Sequence, residues 1–234
     1  MPLPKISSPL FDLSIPSKNT SVRARPFVVR EEKILLLAGQ SNSEREALLA
    51  IKQVVNNCVE DATFDINDLT IFDLEYMFVA LRARSINNIV EINVTDREDG
   101  QVYPIRIDLD DVKVEVPEET TKDINVNEDV ILRLAFPKIS AFENIPEGAN
   151  SEDVLEVLVH NMLDCVFVGD EVTYFKDQPK QEIEEFLESL SVSAYKEITA
   201  FADSIPAVSY STSYKNSKGN TQYVGLRGLQ DFFT

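Results

Sequence analysis

Apolar side chains recur every three or four residues in five stretches of the chain, and this spacing predicts five helices. Ser43 and Glu46 have the spacing of a capping box, so the first helix should begin there. The third stretch is apolar around most of its circumference, which predicts a buried helix. A shorter helical turn over Lys33–Gln40 would end near Gly39. The five predicted helices cover residues 43–59, 70–85, 152–167, 179–190 and 191–204.

Alternating apolar and polar residues follow the second predicted helix and indicate strands. Residues 89–95 and 102–109 are short and rich in branched side chains, and an Asp-Gly pair between them predicts a hairpin. Residues 130–136 predict a third strand, and residues 112–116 would extend the hairpin. The expected fold class is therefore α+β: about five helices around a small antiparallel sheet, made of the central hairpin and a third strand, with extended N- and C-terminal segments.

The two ends of the chain differ from its middle. Residues 1–22 contain four prolines, which bias the preceding residues toward extended structure, so we expect an irregular arm. Residues 207–225 alternate loosely around a turn at Lys218–Asn220, which predicts a mostly polar hairpin. The chain therefore divides into an extended basic N-terminal arm (1–30), a helical segment (31–87), an antiparallel hairpin or sheet insertion (88–136), a second helical segment (151–204), and a C-terminal hairpin with an apolar tail (205–234).

The formal net charge is −18 and is unevenly spread along the chain. Residues 1–40 carry +3 and residues 206–234 carry +2, so the middle carries −23. Such an acidic body repels nucleic acid and anionic membranes, favours solubility and would attract a basic partner. Arg23, Arg25 and Arg30 form a small basic strip near Phe27, which we interpret as a docking strip for protein carboxylates rather than a nucleic-acid site.

Side chains suited to bond chemistry are sparse. His160 lies in the most apolar predicted helix, five residues from Cys165, which is a poor same-face pair, so we interpret it as a core residue and not a zinc ligand. Neither a phosphate-binding glycine loop nor a nucleophile elbow occurs in the sequence. Asp108, Asp110 and Asp111 lack the spacing of a calcium loop and are typical of a solvated strand end. We therefore expect no enzyme activity, no cofactor and no metal.

The cysteines and the hydropathy pattern bear on the compartment. Cys58 and Cys165 lie far apart in apolar stretches, which favours buried thiols in a reducing compartment over a disulfide framework. The sequence has no run of 18 apolar residues, so we expect no membrane insertion. Its first fourteen residues lack the basic-then-apolar order of a secretion signal.

Three segments carry a resemblance to a known family. Arg25–Ala38 resembles the opening signature of the T4-like bacteriophage baseplate hub family, Phe72–Ser85 resembles its central helix, and Gly228–Phe233 resembles its C-terminus. The three occur in order in a chain of similar length, so the resemblance spans nearly the whole sequence. Some relatives carry a cysteine-bearing, zinc-ribbon-like tip on the central hairpin, whereas Thr95–Gly100 has no cysteine, which argues against a metal there.

The resemblance implies a protein that is made late in infection, has no enzyme activity and builds the baseplate hub of a contractile tail. Hub subunits and hub assembly factors both occur in the family, and the sequence leaves both roles open, as it does the oligomeric state. The expected partners are other hub and tail proteins, in the host cytoplasm during assembly and in the tail baseplate of the virion. The alternatives are a chaperone for the tube or tape-measure protein, absent from the mature virion, and a host-directed phage regulator or enzyme.

Two segments are the expected contacts with partners. One is the basic strip, and the other is the C-terminal tail, whose four large apolar residues are costly to leave in water. The tail would dock either on the protein's own core or on a partner. The candidate partner-binding residues are Arg23, Arg25, Phe27, Arg30, Leu226, Leu229, Phe232 and Phe233.

Overall fold

The computed structural model describes residues 8–40, 43–119, 121–143, 145 and 148–229, without the side chain of Glu44. These residues contain seven α-helices, and eleven strands in four antiparallel sheets. The expectation of about five helices around one small sheet is therefore wrong. The elements are β1 (Phe11–Ile15), β2 (Thr20–Ala24), α1 (Val29–Gly39), α2 (Glu44–Cys58), α3 (Ile71–Ser85), β3 (Ile89–Thr95), β4 (Val102–Asp108), β5 (Lys113–Val114), β6 (Thr121–Asn125), β7 (Val130–Ala135), α4 (Ile139–Glu143), α5 (Ser151–Met162), β8 (Leu163–Val168), β9 (Glu171–Tyr174), α6 (Lys180–Ser189), α7 (Val192–Asp203), β10 (Val208–Lys215) and β11 (Thr221–Arg227).

The chain forms two compact units. Unit 1 combines Met1–Glu115 with Ala207–Thr234, and unit 2 is Val116–Pro206. Unit 1 therefore contains the N-terminal part of the chain and, through β10 and β11, its C-terminal hairpin. Unit 2 contains a four-stranded sheet and the helices α4 to α7.

Helices α2 and α3 confirm two of the predicted helices, because each begins at a capping side chain. The Ser43 hydroxyl accepts the amide of Glu46 at 3.3 Å. Thr70 and Asp73 form a reciprocal capping box at the start of α3. The last turn of α3 carries Arg82 and Arg84, as expected for the negative end of a helix dipole. The hairpins β3–β4 and β10–β11 are also confirmed.

The N-terminal segment was expected to be an irregular arm, and the described part of it contains regular structure instead. Strands β1 and β2 form a hairpin whose alternate side chains Leu13, Ile15, Val22 and Ala24 are buried. Its turn passes through Asn19, which has a φ of 48°, and asparagine tolerates this left-handed conformation better than most residues. A short, largely polar hairpin gives a weak alternation signal, and the prolines outweighed it in the prediction.

The predicted helix over residues 152–167 is wrong in its second half. Helix α5 ends at Met162, and β8 begins at the next residue and pairs with both β7 and β9. A short apolar run fits a buried strand as well as a buried helix, so periodicity alone could not place this junction. The apparently all-round apolar helix is thus an amphipathic helix followed by a central strand.

The core of unit 1 is built on α3. Seven of its residues are buried, and Phe72, Leu74, Met77 and Leu81 are fully so. Val79 joins a cluster with β4, the turn after it, and the C-terminal hairpin, whose buried members are Val79, Ile107, Leu109, Val112, Val208 and Leu226. The strand predicted over residues 112–116 reduces to β5, which pairs with β10 and not with the β3–β4 hairpin.

Unit 2 has a sheet in the order β6-β7-β8-β9. Alternate residues of its central strands are buried, including Leu132 and Leu134. The helices contribute Val159, Met162, Ile198 and Phe201 to the buried residues of this unit, and the rings of Phe136 and Phe201 stack at 4.9 Å. Strands β6 and β9 were missed by the sequence analysis because they are edge strands of mainly polar residues.

Both cysteines, Cys58 and Cys165, are buried free thiols. Burial raises the pKa of the Cys58 thiol to about 11, so the thiol stays protonated near neutral pH. Within the described part of the chain, each helix is too short or too polar to cross a membrane.

Replacing Asp73 should destabilise the protein, since this buried carboxylate accepts hydrogen bonds from the amide and hydroxyl of Ser17, at 2.8 and 2.6 Å, and from Thr70. We expect Asp73→Ala to lower the free energy of unfolding by roughly 3 kcal/mol, because several donors lose a charged acceptor. Urea denaturation measures the change, with the exposed Asp111→Ala as control. Equal stability of the two variants would contradict this account.

Candidate protein interface

Arg25 lies at the junction of β2, α1 and α2. Its guanidinium donates to both carboxylate oxygens of Glu31, at 3.1 and 3.3 Å, and to the backbone oxygen of Asn57 at 3.0 Å. Its amide donates to the backbone oxygen of Cys58 at 2.9 Å. The side chain is only 16% exposed. Arg25 therefore holds the N-terminal hairpin to the α1–α2 pair and presents little of its charge to a partner.

Glu31 is the buried centre of this cluster, with a side chain that is fully inaccessible to solvent. It also accepts the amide of Val28 at 3.0 Å and the guanidinium of Arg30, at 2.9 and 2.8 Å. Burial by itself would raise the pKa of Glu31, but the hydrogen bonds from Arg25, Val28 and Arg30 outweigh it and lower the pKa to about 2. Two of the three arginines in the basic strip thus share one internal carboxylate.

The other predicted residues of the strip divide by exposure. Phe27 is buried, and its amide donates to the Ser85 hydroxyl at 2.9 Å, which attaches the start of α1 to the end of α3. Arg23 and Arg30 are exposed by 54% and 69%, although Arg23 pairs with Asp12 at 3.1 Å. The structure therefore leaves two of the four residues on the surface and places the other two inside unit 1.

Helix α1 exposes apolar side chains that the sequence analysis did not select. Val29, Leu36 and Leu37 are 65%, 61% and 69% exposed, and they share one side of the helix with Lys33. We call these four residues the α1 surface. Ile34, Leu35 and Ala38, on the side that faces α2, are half-buried instead. The available signal was the run of five apolar residues from position 34, because one helix face cannot hold all of them.

The C-terminal candidates Leu226 and Leu229 dock on the protein itself. Leu226 is 8% exposed, and Leu229 packs against the same core cluster. The amides of Val208 and Leu229 both point to the Glu75 carboxylate, at 3.4 Å. Burial raises the pKa of Glu75, and these two amides partly offset that rise. Phe232 and Phe233 lie outside the described residues.

Gly228 is suited to the left-handed backbone conformation at the start of the tail. It adopts a φ of 75°, and a Cβ at this position would lie 3.7 Å from a carboxylate oxygen of Glu75. Its amide donates to the backbone oxygen of Val208 at 2.9 Å. The 3.7 Å contact is an ordinary van der Waals distance, so the left-handed conformation, in which a side chain with a Cβ would be strained, is what explains glycine at this position.

The residues considered as metal ligands in the sequence analysis make hydrogen bonds to nearby groups of the protein. His160 lies in α5, and its Nδ1 is 2.9 Å from the backbone oxygen of Glu156, one turn earlier. Asp108 accepts the amide of Asp110, and both carboxylates accept the Asn88 amide group. In the described residues, no group of three or more His, Cys, Asp or Glu side chains is arranged to hold a metal ion.

Removing the charge of Glu31 should destabilise unit 1, because two arginines would lose their shared carboxylate. We expect Glu31→Gln to lower the free energy of unfolding by roughly 3–5 kcal/mol, as for other broken buried ion pairs. Its pKa is about 2 in the folded state and near 4.5 in the unfolded chain, so the stabilisation is complete above pH 4.5 and is lost as the pH falls toward 2.

Urea denaturation between pH 7 and pH 2.5 checks both effects, with Glu32→Gln as the control at the exposed neighbouring position. The difference between native protein and Glu31→Gln should shrink on acidification. A difference that stays constant with pH would exclude the ion pair as its source.

Comparison with known proteins identifies one family. Residues 8–234 match the family described as T4 bacteriophage base plate protein. The comparison with curated proteins found no match. The comparison with solved structures likewise found none.

Proposed function

Because the chain belongs to the T4 bacteriophage base plate protein family, we propose that it is a protein of the central hub of the baseplate in a contractile tail. Family membership supports a structural role in the phage baseplate, with other baseplate proteins as partners. The position in the hub is the finer part of the proposal, and it rests on the resemblance of Arg25–Ala38, Phe72–Ser85 and Gly228–Phe233 to the hub proteins.

The observation that carries the proposal is the exposed apolar side of α1. Leucines at 61% and 69% exposure, with a valine at 65%, form a larger apolar patch than scattered surface residues would. Their helix is fixed to the rest of unit 1 by the Glu31 cluster, so the patch needs little ordering before it binds. The α1 surface therefore suits a lasting contact with another baseplate protein, because permanent interfaces are the more apolar ones.

The basic strip has two roles in this proposal. Arg25 and Phe27 hold α1 in place, and the exposed Arg30, next to Val29 on α1, supplies the polar rim of the α1 surface, while the exposed Arg23 on β2 is proposed as a further charge for a partner. A rim charge steers the approach of a partner and contributes little affinity of its own. The proposed partner would thus present an apolar patch with carboxylates at one edge.

A subunit and an assembly factor differ in where the protein is found. Since the α1 surface is apolar, we favour a subunit that stays in the baseplate. Mass spectrometry of purified virions should then find the chain at a fixed ratio to other baseplate proteins. Absence from virions, with co-purification of hub proteins from assembling cells, would support the assembly factor. Absence from both would contradict the proposal.

Making the α1 surface polar should reduce incorporation without unfolding the protein. We expect Leu36→Gln/Leu37→Gln to lower the amount of the chain in purified baseplates roughly tenfold, as for the loss of interface hot spots. Glutamine favours helices about as well as other long side chains, so the unfolding free energy should change by less than about 1 kcal/mol. Quantitative mass spectrometry and urea denaturation measure the two quantities.

The matched control is Ile89→Thr/Val102→Thr, which makes a second exposed apolar pair polar. These residues are 40% and 58% exposed on the β3–β4 hairpin. The control should be incorporated normally. Equal incorporation of both double variants and the native protein would remove the α1 surface from the proposal.

The end of the tail is proposed as a second contact. Leu226 and Leu229 are used within unit 1, so Phe232 and Phe233 are the apolar residues proposed for a partner. We expect Phe232→Ser/Phe233→Ser to reduce baseplate incorporation severalfold, because two buried aromatic side chains would be lost from the interface, while thermal unfolding stays unchanged. Leu229→Ser, which removes a self-docked residue, is the contrasting variant and should lower stability. A loss of stability with the phenylalanine variant would show that the tail docks on its own chain.

A further inference from the structure

The sheet of β5, β10 and β11 has one side toward the core of unit 1 and one side toward solvent. Val208, Val224 and Leu226 lie on the inner side, in or against the core cluster. The register pairs Ser211 with Gly225 and Lys215 with Thr221 on the other side. We define the basic sheet face by six residues of that outer side: Lys113, Ser211, Lys215, Tyr223, Gly225 and Arg227.

The basic sheet face differs in composition from the rest of the chain. It carries three cationic residues, whereas the protein has 40 acidic and 22 basic residues overall. The outer positions of the three strands include no carboxylate, and the first acidic residue after β5 is Glu115. Tyr223 is 85% exposed and projects between small neighbours such as Ser211 and Gly225. A protruding tyrosine among small residues and cations is typical of an energetic centre in a protein interface.

The tip of the β10–β11 hairpin is fixed to the tip of the β3–β4 hairpin. Asp96, which is 3% exposed, accepts the Tyr214 hydroxyl at 2.8 Å. Asp99 accepts both the amide and the hydroxyl of Ser217, at 3.1 and 2.7 Å. The Glu98 carboxylate accepts further amide groups at 2.8 Å, from Asn216, Asn220 and Gln222. These six hydrogen bonds join the tips of two hairpins, whereas an isolated hairpin is only marginally stable in water.

The base of the same hairpin is fixed as well. The Val208 amide donates to Glu75 on α3, and Val208 and Ser209 pair with β5. Held at both ends, the hairpin loses little conformational entropy when a partner binds, and preorganisation of this kind raises affinity. Asp96, Glu98 and Asp99 are engaged at the tip of the hairpin and Glu75 at its base, and the outer positions of the strands themselves carry no carboxylate.

We propose that the basic sheet face binds an acidic surface of another baseplate protein, with the Tyr223 ring in an apolar recess between carboxylates. This inference rests on the proposed function and adds the chemistry of a second partner contact. Charge complementarity selects the partner: Lys113 and Lys215, on strands whose outer positions carry no carboxylate, favour a surface rich in Asp and Glu. A nucleic acid would be repelled by the net charge of −18.

Site-specific photo-cross-linking tests the proposal in the full chain. The photoreactive residue benzoylphenylalanine replaces Tyr223 in cells that are assembling tails, and the cross-linked peptide is identified by mass spectrometry. We expect a peptide of another baseplate protein in which Asp and Glu outnumber Lys and Arg. Adding Lys215→Glu should lower the yield about tenfold, whereas Lys18→Glu, at an exposed position outside the sheet, should not change it. Replacing the partner's carboxylates by lysine should restore the yield with Lys215→Glu.

The other outcomes are distinguishable. The inference is overturned by no adduct, by an adduct to a second copy of the chain, or by an adduct to a peptide without an excess of carboxylates. A yield that is insensitive to Lys215→Glu also overturns it. The same photoreactive residue at Leu37, on the α1 surface, tests the proposed function separately. If only the Leu37 probe forms adducts with baseplate proteins, the inference about the basic sheet face fails and the proposed function stands. If neither probe forms such adducts, the proposed function is contradicted as well.

Discussion

Two carboxylates near the N-terminal end of α3, Asp73 in its first turn and Glu75 just beyond it, hold the N- and C-terminal segments of unit 1. Asp73 accepts the amide and hydroxyl of Ser17 from the N-terminal hairpin. Glu75, two residues later, accepts the amides of Val208 and Leu229 from the C-terminal hairpin and tail. Acidic side chains are favoured at this end of a helix by its dipole, so the two attachments also suit the helix. The basic sheet face depends on the Glu75 attachment, whereas the α1 surface is joined to α3 at the other end of that helix, by the hydrogen bond from the Phe27 amide to the Ser85 hydroxyl.

The distribution of charge gives the two units different surfaces. Residues 116–206 carry 20 acidic and six basic residues, for a net charge of −14, whereas the rest of the chain carries −4. Unit 1 also buries acidic side chains, since Glu31, Asp73 and Asp96 are 0%, 0% and 3% exposed. Each of the three carboxylates accepts hydrogen bonds from other segments of the unit, so its charge is paired inside the structure and does not contribute to the surface. What remains on the outside of unit 1 is therefore more apolar and more basic than the overall composition predicts.

Much of the local structure could be predicted from the sequence, and most of the tertiary structure could not. The helices α2 and α3 and the two long hairpins have strong periodicity and clear caps or turns. The junction of α5 and β8 was missed because an apolar run fits either element. The basic strip was predicted as a docking strip from three arginines that are close in sequence, but Arg25 is held inside by contacts that include the backbone of Asn57, 32 residues away. Contacts over such distances leave no periodic trace, so sequence reasoning could not separate the arginines that build the fold from those that face solvent.

The structure favours binding through preformed surfaces over binding through flexible terminal arms. Flexible arms would have to be ordered by each partner, and the entropy of ordering them would temper the affinity. The described part of the N-terminal segment instead contains a hairpin with a buried face, and Leu226 and Leu229 already lie against the core. The binding surfaces proposed in unit 1 lie mainly on α1 and on the outer side of a fixed sheet. A partner that meets such preformed surfaces binds without first ordering them, which suits the proposed role of a subunit that stays in the baseplate.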